Sequence, residues 1–172
     1  MAGLIHVYCG EGKGKTTAAV GLAVRAAGAG KRVIFTQFFK DGSSSEIESL
    51  KKLPGIRTIH ANTVKGFYRA MTREQRIQAR QDYTALFRQV TAAAGDADLL
   101  ILDEIVSACN RDVVPQTLVT EFLRSKPSGL EVVLTGRDPS PALTELADYI
   151  TEMRKLRHPY DRGVAARQGI EF

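Results

Sequence analysis

The chain has 172 residues, the size of one domain able to bury a full core without disulfides or metals, so a single domain spanning 1–172 is expected. It is 44% hydrophobic and 25% charged, with no apolar run long enough to cross a bilayer and no signal-peptide pattern, which argues against a membrane partner and leads us to expect a cytoplasmic protein. The two cysteines, Cys9 and Cys109, are too few for a disulfide framework and too isolated for a zinc site, and a net charge of +5 with a pI near 9.4 admits nucleic acid but suits a nucleotide triphosphate equally well.

"LIHVYC" (Leu4–Cys9) is a short apolar run ending at a glycine, as in a buried strand, with Cys9 as a small buried residue at its end. An Ala-rich helix follows over Lys15–Gly28, closed by Gly28 and Gly30. Between them lies "GEGKGKTT", Gly10 to Thr17. The usual phosphate-binding pattern is a glycine, four residues, then Gly-Lys-Ser/Thr. Counting back from Gly14-Lys15-Thr16, the first glycine should fall on Cys9; Gly10 leaves a loop one residue short.

"RVIFTQFF" (Arg32–Phe39) predicts a second strand and "IRTIH" (Ile56–His60) a third. From Arg73 to Ala94, Ile77, Tyr83, Leu86, Phe87 and Val90 recur at helical spacing and predict the longest helix. "LLILDE" (Leu99–Glu104) is an unbroken apolar run, as in a strand covered on both faces. Pro115 opens another helix, ended near Lys126–Gly129; "LEVVLTG" (Leu130–Gly136) is the next strand. Ser140-Pro141 caps a short helix to Ala147, and "YITEM" (Tyr149–Met153) closes the series as a strand. Strands alternating with helices predict an α/β fold of three layers, a mostly parallel sheet with helices on both faces and ligands at the carboxyl ends of the strands.

In that context Gly10, Gly12, Lys13, Gly14, Lys15, Thr16 and Thr17 form a phosphate cradle. Glycines let backbone N–H groups close on phosphate oxygens, Lys15 brings a cation, and the Thr16 hydroxyl suits Mg²⁺. Asp103 and Glu104, at the end of a buried strand that we expect to neighbour the loop's own, are candidates to meet Mg²⁺ directly or through water; an acidic pair in this position also serves as a helix N-cap. "LTGR" puts Arg137 on the same rim, where it can neutralise phosphate charge or simply lie at the surface. Phe38, Phe39, Phe67 and Tyr68 read first as core aromatics. His6, His60 and His158 have no metal spacing. The segment Arg154–Gln168 carries five cationic side chains and one carboxylate, so it is either a solvated basic tail or one wall of an anionic site.

Taken together, "GEGKGKTTAAVGLAVRAAGAGKRV", "QFFKDG", "LLILDEI", "VVLTGR", "ELADYITEMR" and "HPYDRGVAARQGIEF" resemble the P-loop ATP:corrinoid adenosyltransferases in one register from Leu4 to Phe172. The resemblance implies a P-loop NTPase fold of the RecA-like type. It also implies transfer of the 5′-deoxyadenosyl group of ATP to the Co(I) of a reduced corrinoid, with release of triphosphate, in adenosylcobalamin synthesis or salvage. ATP would sit in the reverse sense to other P-loop proteins, which offers a reason for the shortened loop. Carried over, Lys15 and Thr16 bind phosphate and Mg²⁺, Glu104 helps hold Mg²⁺, and Arg137 lies on the nucleotide rim. Phe67 in "KGFYRAM" matches one of the aromatics that, in the family, displace the lower axial ligand of cobalt. Where other members carry a tryptophan two residues on, this chain has Arg69, with Tyr68 as the available substitute. Longer members also have a leading helical segment ahead of the first strand, and if that segment covers the site, a more open site is expected here. A homodimer and an electron donor for Co(II) are further implications, and nucleic acid is not expected. The competing expectation is a P-loop ATPase or small kinase, which could be nucleic-acid linked; a third is a nucleotide-responsive binding protein without turnover.

Overall fold

The computed structural model describes residues 2–40, 44–61, 68 and 71–171. The elements are β1 (Ile5–Cys9), α1 (Lys15–Gly28), β2 (Val33–Gln37), α2 (Ser45–Leu50), β3 (Ile56–Ile59), α3 (Arg73–Ala93), β4 (Leu99–Asp103), α4 (Ile105–Asn110), α5 (Gln116–Ser125), β5 (Glu131–Thr135), α6 (Pro141–Thr144) and β6 (Tyr149–Glu152). The six strands form one sheet in the order β3-β2-β4-β5-β1-β6, and every pairing is parallel.

Strand alternation divides the core into two layers. Leu99 and Ile101 of β4 and Val33 and Phe35 of β2 turn to one face, where they meet Ala19, Ala23 and Ala26 of α1 and Ile47 and Leu50 of α2. Leu100, Leu102, Ile34, Val132 and Leu134 turn to the other, against Tyr83, Leu86 and Val90 of α3 and Val119 and Leu123 of α5. Both faces of the central strands are thus dry, which is why "LLIL" reads as a continuous run. The alanine stripe of α1 lets that helix approach the sheet closely. α3 starts at a capping box, in which the Gln75 backbone N–H donates to the Thr72 hydroxyl and the Thr72 N–H to the Gln75 side chain.

Several sequence expectations change. α2 and α4, six residues each, are additional helices too short to show two full periods. Ile77 does not face the core; it is 54% exposed, and Ala79 takes the inward position on the first turns of α3. The short helix after Ser140 ends at Thr144 rather than Ala147. Most consequentially, β1 and β4 are not neighbours, because β5 lies between them. No helix among the described residues is long and apolar enough to cross a membrane.

Leu100→Ala, at a fully buried position of β4, is expected to cost about 2–5 kcal/mol in denaturant unfolding, whereas Ile77→Ala should fall within about 0.5 kcal/mol of the parent. Equal losses would contradict this assignment of the α3 face.

Candidate functional site

The loop after β1 takes its path from its glycines. Gly10 (φ 99°) and Gly14 (φ 118°) occupy left-handed backbone conformations that side chains disfavour. Gly12 is required for a different reason: a Cβ there would lie 2.5 Å from the carbonyl oxygen of Met153, and one on Gly10 would lie 2.7 Å from the same atom. The Gly12 N–H donates to that carbonyl at 2.6 Å, and the Met153 N–H donates to the Cys9 carbonyl at 2.8 Å. The backbone leaving β6 therefore crosses the loop and straps it down.

Lys15, the first residue of α1, is only 8% exposed, and its Nζ donates to the carbonyls of Gly10 (2.6 Å) and Gly12 (2.8 Å). Burial, aided by the nearby Arg137 guanidinium, holds its ammonium below the ordinary lysine range, against the opposing pull of Glu104 and Glu11. Thr16 Oγ1 points across the sheet and donates to both Asp103 oxygens, at 2.9 and 3.2 Å. The intervening β5 holds the same carboxylate. Thr135 donates its hydroxyl to Asp103 Oδ1 at 2.7 Å and accepts the Glu104 N–H at 2.8 Å. From β2, Gln37 Nε2 donates to Asp103 Oδ2 (3.1 Å) and to Glu46 Oε1 (2.8 Å), while Lys40 Nζ lies 3.1 Å from Glu46 Oε1 and 3.7 Å from Asp103 Oδ2. Asp103 is fully buried. That burial raises its carboxyl's proton affinity, and Lys40, Thr135 and Thr16 oppose the rise. For Glu46 burial also favours the neutral acid, but its backbone amide, Lys40 and Gln37 outweigh it and hold the group below the usual glutamate range.

Of the acidic pair, Asp103 rather than Glu104 reaches the Thr16 hydroxyl. Glu104 sits in a left-handed conformation (φ 63°) at the N-cap of α4 without capping it; its carboxylate accepts the Ser107 hydroxyl at 2.6 Å. Arg137 is exposed on the rim and pairs with Glu11 at 2.8 Å. Lys13 and Thr17 line a groove of about 540 Å³ that runs from Thr16 to Lys40. Phe67 lies outside the described residues. Phe38 is in the core, while Phe39 and Tyr68 pack ring to ring at 5.5 Å with the Arg111 guanidinium 5.0 Å from the Phe39 ring. The basic segment forms one wall of a cavity of about 610 Å³, with Arg154, Arg157 and Arg167 facing Gly12 and Lys13 of the loop. Gln37, Lys40, Glu46, Thr135 and Ser107 join the site without any role assigned to them from sequence. Gln37 and Lys40 lay in the quoted motif "QFFKDG" and Thr135 in "LTGR", whereas Glu46 and Ser107 lay in none.

A strand-loop-helix turn carrying Lys15 and Thr16, facing a buried carboxylate across a parallel sheet, defines a P-loop nucleotide-binding protein. Solved structures agree on the fold. A KaiC-like protein from Pyrococcus horikoshii superposes with a TM-score of 0.57 at 16% identity, over 89% of this chain and 73% of that one. The EccC secretion ATPase of Thermomonospora curvata gives 0.54 at 18% identity, over 92% of this chain and 32% of that one. The family model for the ATP:corrinoid adenosyltransferases BtuR/CobO/CobP matches residues 1–172. The corrinoid adenosyltransferase of Escherichia coli K12 is 35% identical over 176 residues, 99% of this chain and 86% of that protein, and the Pseudomonas aeruginosa one 31% identical over 171 residues, 99% and 84% respectively. The chain belongs to the ATP:corrinoid adenosyltransferase family, and it is a transferase whose substrates are ATP and a corrinoid.

Because Lys15 is cationic only below its lowered pKa, ATP affinity should decline as pH rises, starting on the acid side of the ordinary lysine range, and Lys15→Arg should shift that decline to higher pH. Calorimetric ATP titrations across pH check this; a profile identical in the two proteins would mean that another group sets the dependence.

Proposed function

We propose that this chain transfers the 5′-deoxyadenosyl group of ATP to a Co(I) corrinoid and releases intact triphosphate, with Lys15, Thr16 and Asp103 as the centre of the leaving-group site. The observation that carries the reading is their convergence beside a phosphate loop one residue short and strapped by Met153. Thr16 and Asp103, with Glu104 alongside, offer oxygen donors only, a set that fits the hard cation Mg²⁺. When bound, Mg²⁺ would supply charge neutralisation to the triphosphate.

The loop amides of Lys13 and Gly14 and the Lys15 ammonium hold phosphate oxygens, Gly12 shapes the cradle with its N–H kept on the Met153 carbonyl, and Thr17 and Arg137 close the rim. Held there, the triphosphate presents the ribose C5′ to the corrinoid. The Co(I) electron pair forms the Co–C bond to C5′ as the C5′–O bond breaks, and the bonding pair leaves on the triphosphate oxygen. No side-chain nucleophile is required, because the corrinoid supplies it. The chain's contribution is placement of C5′ in line with cobalt and stabilisation of charge on the departing oxygen. Phe67, at the aromatic position of the family, eases formation of Co(I) from a donor-reduced Co(II) corrinoid, and the working unit is a homodimer.

Lys15→Ala should lower adenosyl transfer by about 10²-fold or more, measured anaerobically with ATP, Mg²⁺ and cob(I)alamin while the corrinoid spectrum and phosphate products are followed together. One triphosphate per Co–C bond is expected from the parent protein. Orthophosphate without a Co–C bond would instead identify an ATPase. Phe67→Ala should slow the reaction from Co(II) with a biological reductant more than from chemically prepared Co(I), and equal losses in both assays would remove Phe67 from the reduction step.

A further inference from the structure

Lys40 is placed by an unusual stretch of backbone. β2 ends at Gln37, Phe38 is sunk in the core, and Phe39 adopts a left-handed conformation (φ 59°) that its ring contacts with Tyr68 and Tyr83 hold in place. A bulky aromatic residue rarely takes this conformation, so the packing must over-determine it. The turn brings Lys40 back over the carboxyl end of β4. There its ammonium bridges Glu46 (3.1 Å) and Asp103 (3.7 Å) while its side chain, 28% exposed, lines the groove shared with Lys13, Thr16 and Thr17.

The ammonium thus lies against Asp103 Oδ2, one of the two carboxylate oxygens that Thr16 touches. A divalent cation arriving at Thr16 and Asp103 brings positive charge to the same carboxylate, and two cations cannot share it at close range without strong repulsion. The metal does not arrive alone, however; it comes with a polyanion. Lysine is a compact charge on a four-carbon stem that can swing without moving the backbone. Glu46 also accepts from Gln37, so that carboxylate keeps a partner whether or not Lys40 stays.

We propose that Lys40 is a second phosphate-binding cation of this site, held on Asp103 and Glu46 until the metal and triphosphate arrive and then transferred to triphosphate oxygens, where it stabilises the leaving group. The inference rests on the reading of the phosphate loop given above and extends it to the opposite side of the groove. It assigns the groove two jaws, Lys13 with Thr16 and Thr17 on the loop side and Lys40 from the end of β2. It also explains why a cation is positioned beside a carboxylate already satisfied by three neutral donors.

The test is calorimetric binding of inorganic tripolyphosphate in the presence of Mg²⁺, with thermal melts as the folding control. Lys40→Met should weaken tripolyphosphate binding about ten-fold and Lys40→Arg should recover most of it, as loss of one charge-assisted contact predicts. Glu46→Gln, which loosens the resting hold on Lys40, should bind at least as tightly as the parent. In turnover assays Lys40→Met should lower kcat while leaving the KM for corrinoid unchanged. Parent-like tripolyphosphate binding by Lys40→Met overturns the proposal and leaves the phosphate loop untouched. Equal losses in Lys40→Met and Lys40→Arg would assign the effect to groove shape and overturn it as well. If the parent protein binds no tripolyphosphate and Lys15→Ala changes nothing, the loop reading itself fails and this inference falls with it.

Discussion

The buried carboxylate of Asp103 is the constraint to which the rest of the site conforms. Removing a charge from water costs several kcal/mol unless hydrogen bonds replace its hydration, so the donors around it must be in place whenever the fold is. They come from three separate parts of the chain: Thr16 at the start of α1, Gln37 at the end of β2 and Thr135 at the end of β5. Satisfying one anion therefore sets the relative heights of the strand ends, and with them the distance between the phosphate loop and the opposite side of the groove.

This arrangement explains what the sequence made legible. The order of strands and helices followed from apolar runs and glycine punctuation, and the loop and the Asp103-Glu104 pair were visible because each is a contiguous string. Strand order was not legible. Nothing in "LTGR" announces that β5 inserts between β1 and β4, nor that the loop after β1 reaches past it to Asp103 through Thr16 while Thr135 of β5 holds the same carboxylate. α2 and α4 were missed because six residues hold less than two turns, and the apolar "IVSAC" looks like a continuation of the strand before it. Ile77 misled because helical spacing gives the period of a face without saying where burial begins. Glu46 and Ser107 had no signal at all; their partners lie beside them only after folding.

The choice between the two acidic residues shows the same principle at the scale of one side chain. Sequence placed Asp103 and Glu104 side by side, but strand alternation and the left-handed turn at Glu104 send them to different partners. Asp103 goes to the hydroxyl of the loop and Glu104 to Ser107 of α4. Gly136 follows from the same packing, since a Cβ there would come within 2.7 Å of Val106. The glycine of "LTGR" is thus a spacer for α4, and it lets the helix bearing Ser107 close on the strand that presents Arg137.

The strap over the loop bears on how this site can be inherited or engineered. In most strand-loop-helix turns the loop is a free arc that tolerates insertions, but here Gly10 and Gly12 already touch the Met153 carbonyl. An added residue has no room unless the backbone beyond β6 retreats, and without its partner loop the carbonyl of Met153 would lose the Gly12 N–H. Loop length and the exit of the last strand are therefore a single heritable module. A graft of the short loop into another nucleotide-binding scaffold would have to bring the edge strand along with it.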